Sequence, residues 1–159
     1  MTTRITAAIF IVSLAAGTAQ AGIEIRTEPD APGRQQLAAK EIARYLYLRT
    51  GSLPGEIAAD GVIVITKKDE ALVTEASVRA AAADLRPQQY VLKTTADEGG
   101  RTWWIVGGDD VGALHGAYRF LEHLGVRFYL HQDVVPEADP RFQLPDVDES
   151  GKPLLSCGD

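Results

Sequence analysis

Three histidines, His115, His123 and His131, stand eight residues apart, and imidazole is a common choice for binding metals and moving protons. Spacing argues against a shared ion. Eight residues of helix advance about 12 Å and rotate by about 80°, whereas two ligands of one zinc on a helix want the i, i+4 spacing. Gly107-Gly108-Asp109-Asp110-Val111-Gly112 falls at a strand-to-helix turn, where a glycine-rich loop could cradle phosphate. It matches neither the P-loop nor the dinucleotide spacing, and its two carboxylates would repel a phosphate from the helix start. Asp109 and Asp110 therefore read as a helix cap. A glycosidase needs two carboxyl groups facing each other at roughly 5 to 9.5 Å across a cleft, which the adjacent pairs Asp97-Glu98 and Asp109-Asp110 do not provide. No serine, histidine and acid group into a nucleophile motif, and Ser156 lies in the tail. No catalytic residue, metal ligand or cofactor site is assigned.

The residues left with binding chemistry are Trp103, Trp104, Arg127 and Tyr129. Adjacent tryptophans on a strand point to opposite faces, so one belongs to the core and the other is free to stack on a partner domain or a sugar ring. Arg127 and Tyr129 share one face of their strand, either solvated or lining an interdomain surface.

Several elements must position these side chains. Gly22–Arg26 alternates before Pro29 and Pro32 and reads as a first strand. From Arg34, Ala38, Ile42, Tyr45 and Leu46 recur on one helical face, with Gly51 placed to end the helix. The β-branched run 61–66 suits a strand covered on both faces at the centre of a sheet. The Ala-rich stretch Asp69–Leu85, with Leu72, Val73, Ala76 and Ala80 on one side, predicts a second helix that stops before Pro87. Gln89–Thr95 and Arg101–Val106 flank a short Gly-rich loop and predict an antiparallel hairpin. After the Asp109-Asp110 cap, Leu114, Ala117, Tyr118, Leu121 and Leu124 form an apolar stripe and Gly125 a C-terminal stop. Val126–Leu130 reads as a last strand. From Pro136 the chain, with four prolines among acidic residues, reads as an extended linker and tail, 136–159. The expected fold is α+β, a mixed sheet of about five strands with helices packed against it, spanning 22–135.

Arg4 followed by an apolar stretch and Ala19-Gln20-Ala21 predicts an export signal over residues 1–21, cleaved after Ala21. The chain is thus expected to be exported, periplasmic or secreted, with no membrane span after cleavage. Of 159 residues, 45% are hydrophobic and 24% charged, which is ordinary globular composition and argues against disorder. Beyond residue 21, 15 Lys and Arg face 22 Asp and Glu, a net charge of −7. An acidic surface with no basic stripe is a poor nucleic-acid or anionic-membrane partner. Cys157 is the only cysteine, so no disulfide forms within the chain. A (β/α)₈ barrel needs about 250 residues and does not fit.

Gln88–Lys93, the Gly107-Gly108-Asp109-Asp110 turn and the run Gly112–Tyr129 resemble the N-terminal domain of bacterial α-glucuronidases of glycoside hydrolase family 67. They are also similar to the domain preceding the barrel of family 20 β-N-acetylhexosaminidases. The helix Leu37–Leu48 with Thr50-Gly51 and the strand Val62–Thr66 add to the resemblance. It implies an α+β module whose partner is a catalytic (β/α)₈ barrel C-terminal to it, in an enzyme of polysaccharide breakdown such as that of glucuronoxylan. It implies that the catalytic acids reside on that barrel, so the present chain alone is expected to be inactive. A free-standing glycan-binding module is the alternative.

Overall fold

The computed structural model describes residues 22–57, 59 and 61–152; the expected export segment 1–21 and residues 153–159, with Cys157, lie outside them. Among the described residues seven strands and three α-helices follow in the order β1 (Ile23–Arg26), α1 (Gly33–Thr50), β2 (Gly61–Lys67), α2 (Ala76–Ala82), β3 (Tyr90–Asp97), β4 (Gly100–Gly107), α3 (Asp110–His123), β5 (Arg127–Phe128), β6 (Asp133–Val134) and β7 (Asp148–Gly151). Five strands form a mixed sheet in the order β1-β2-β4-β3-β7. β1, β2 and β4 run parallel, while β3 is antiparallel to both β4 and β7. The α+β mixed sheet with packed helices is therefore as the sequence implies.

Strand alternation sends Ile63, Ile65, Leu92, Trp103 and Ile105 to one face, where Ile42, Leu46 of α1 and Phe120, Leu121 of α3 bury them. Val64, Val91, Trp104 and Val106 go to the other face, under Val78 and Ala82 of α2. The continuous apolar run of β2 is thus covered on both sides, although β4 and not β2 occupies the middle of the sheet. α1 ends as its sequence suggests, with Gly51 in the left-handed region at φ 77° and its N–H donating to the Tyr47 carbonyl.

Three expectations need correction. The helix expected over Asp69–Leu85 shortens to Ala76–Ala82. The stretch before it instead lowers Val73 into the core and is tied down where the Leu72 N–H donates to Glu28 Oε1 at 2.9 Å. Within α2 the buried residues are Val78 and Ala82, while Ala76 and Ala80 are exposed. The strand expected over Val126–Leu130 narrows to Arg127–Phe128, which pairs with β6 in a separate two-stranded ribbon. Phe128 explains the departure, because its ring fits edge-on between Tyr45 of α1 at 5.5 Å and Tyr118 of α3 at 5.1 Å, away from the main sheet.

The third correction concerns the expected linker. Leu144 and Val147 are buried in the core, and Asp148–Gly151 supplies the fifth strand. Between them the chain straps over Trp103, whose indole N–H donates to the Pro145 carbonyl at 3.0 Å. Thr94 and Val147 exchange two further bonds, at 2.8 and 2.9 Å.

On α3 the sequence stripe is rotated. Ala113, Gly116, Ala117, Phe120 and Leu121 are buried, whereas Leu114 and Tyr118 are only partly so. Close approach is the reason. A Cβ on Gly116 would lie 3.0 Å from Ile105 and 3.1 Å from Tyr90, so the small-residue face presses onto the sheet and the larger side chains are displaced to its flanks.

Candidate functional site

The capped turn sets the start of α3. Asp109 Oδ1 accepts from the Gly112 N–H at 2.7 Å and the Gln88 N–H at 2.8 Å, using donors a phosphate would need. Asp110 stands 3.5 Å from Lys67 Nζ and accepts from Gln35 Nε2 at 3.3 Å. The loop is thus a structural cap with its anion already supplied from within.

The two tryptophans do divide between the faces of the sheet, but both are buried, Trp103 at 2% and Trp104 at 6% exposure. Trp104 donates its indole N–H to Thr95 Oγ1 at 2.9 Å. Neither ring offers a free stacking face, because the 142–147 strap covers one and the α2 layer the other. Arg127 and Tyr129 are exposed. Arg127 Nη1 donates to the Glu122 and Val126 carbonyls, both at 2.9 Å. Tyr129 lies beyond the end of β5, so the two do not share a strand face. The structure therefore does not bring the four residues together.

The ribbon carrying Arg127 shows an apolar surface instead. Tyr129, Leu130 and Val134 are 63%, 101% and 45% exposed. The ribbon is fastened from below by Tyr45, whose hydroxyl donates to Asp133 Oδ2. Burial, reinforced by the Asp133 carboxylate, pushes the Tyr45 phenol up to about 12.

A polar cluster missed in the sequence joins α3 to β7. Arg119 Nε and Nη2 grip Glu149 at 2.7 and 3.3 Å, while Nη1 reaches Glu122 at 2.7 Å. His123 Nε2 stands 3.3 Å from the same Glu149. The guanidinium fork holds the Glu149 carboxyl below its usual range, and Glu149 in turn raises Arg119. Tyr90 and Tyr118 beside the cluster are both raised, chiefly by burial. A glycosidase proton donor needs its pKa lifted, so depressed Glu149 is an ion-pair partner and a poor acid. The i, i+3 spacing of Arg119 and Glu122 was legible in the chain; Glu149 was not, because its segment reads as linker. The three histidines do not converge: His115 Nδ1 lies 3.4 Å from the Gln88 carbonyl, and His131 is exposed between β5 and β6. Among the described residues no group of three or more His, Cys, Asp or Glu side chains is placed to hold a metal, and no helix is long and apolar enough to cross a membrane.

No family model matches the chain, and no curated protein does. Among solved structures it is similar to a family GH115 4-O-methyl-α-glucuronidase with specificity for decorated arabinogalactans, at TM-score 0.54 and 17% identity over 82% of this chain. At that identity the likeness is one of fold. The chain spans 18% of the length of that enzyme; its fold is thus one found as a minor part of a glycoside hydrolase.

Proposed function

We infer that this chain is a non-catalytic module of an exported glycoside hydrolase of α-glucuronidase type, the kind of domain that precedes the barrel in family 67 enzymes, acting in polysaccharide breakdown when joined to a catalytic barrel. The observation that carries the reading is the fold likeness to a minor fraction of a GH115 glucuronidase chain. Two features support it. The carboxylates of the α3/β7 cluster are committed to Arg119, which suits packing and not proton transfer. The Tyr129, Leu130 and Val134 surface is the kind of apolar patch a module keeps for a neighbouring domain. Capture of a glycan by an indole is disfavoured by the burial of Trp103 and Trp104.

The test is direct. Purified chain incubated with glucuronoxylan and with arabinogalactan should release no 4-O-methylglucuronic acid, and should give no heat on titration with their oligosaccharides. Fused ahead of an α-glucuronidase barrel lacking its own leading domain, it should restore soluble, folded enzyme. Turnover by the chain alone overturns the reading, and heat with oligosaccharides favours the binding module.

A further inference from the structure

We draw no further inference here: the strongest candidate, the exposed apolar surface patch of Tyr129, Leu130 and Val134 on the β5/β6 ribbon, already supports the reading above, and nothing in the structure shows what covers it.

Discussion

Replacing Tyr45 with phenylalanine removes one oxygen and leaves the ring in place, edge-on to Phe128 and beneath the Arg44 guanidinium at 5.0 Å. What is lost is the hydroxyl donated to Asp133, the bond that fastens β6 to α1. A hydrogen bond to a charged acceptor contributes about 1.5–3 kcal/mol. Asp133 is exposed and water can replace the donor, so the loss at pH 7 should fall near the lower end, about 1.5 kcal/mol.

The same contact has a pH signature. The folded Tyr45 pKa is about 12 against 10.0 for the free side chain. Between those values the unfolded chain binds fewer protons than the native one, so stability falls as pH rises. Two pH units at 1.36 kcal/mol each set the full loss at about 2.7 kcal/mol, most of it incurred by pH 12. Y45F has no phenol there and escapes that loss. Urea unfolding followed by tryptophan fluorescence should show the unaltered protein ahead at pH 7, its lead shrinking above pH 10, gone by about pH 11 and reversed toward pH 12. An equal gap at pH 7 and pH 11.5, or no gap at pH 7, would refute the role of this bond.

Glu149, held below its usual 4.5 by Arg119, contributes stability that is present above pH 4.5 and lost as pH falls through its depressed folded value. E149Q should therefore be less stable at pH 7 and show a flatter acid limb in thermal melts; an unchanged acid limb would count against the pair. G61A should lose about 1–3 kcal/mol or more of stability, seen as a lower urea midpoint, because the new Cβ would stand 2.5 Å from the Trp103 ring and 2.6 Å from the Arg101 carbonyl. W103F leaves the Pro145 carbonyl without its indole donor, and amide exchange at Val147, whose N–H bonds Thr94, should quicken while that of β2 stays slow.

Local chemistry made much of this protein legible in its chain. Apolar residues at helical spacing marked the buried face of α1, Asp109 with its glycines marked the start of α3, and the β-branched run marked β2, because each depends on neighbours within one or two turns of backbone. The Gly-rich loop likewise announced the β3/β4 pairing. Other features depended on partners far along the chain. Whether Phe128 joined the sheet or wedged between two helices was decided by the space between Tyr45 and Tyr118. Whether the proline-rich stretch hung free or became a strand was decided by the open edge of β3 and the indole of Trp103, which only the folded sheet presents. The burial of Trp103 and the binding of Arg119 to Glu149 followed from that same strap, and the burial of Trp104 from the α2 layer on the other face. Composition and spacing carry no information about which distant surface a segment will cover, since that energy exists only after the surface has formed.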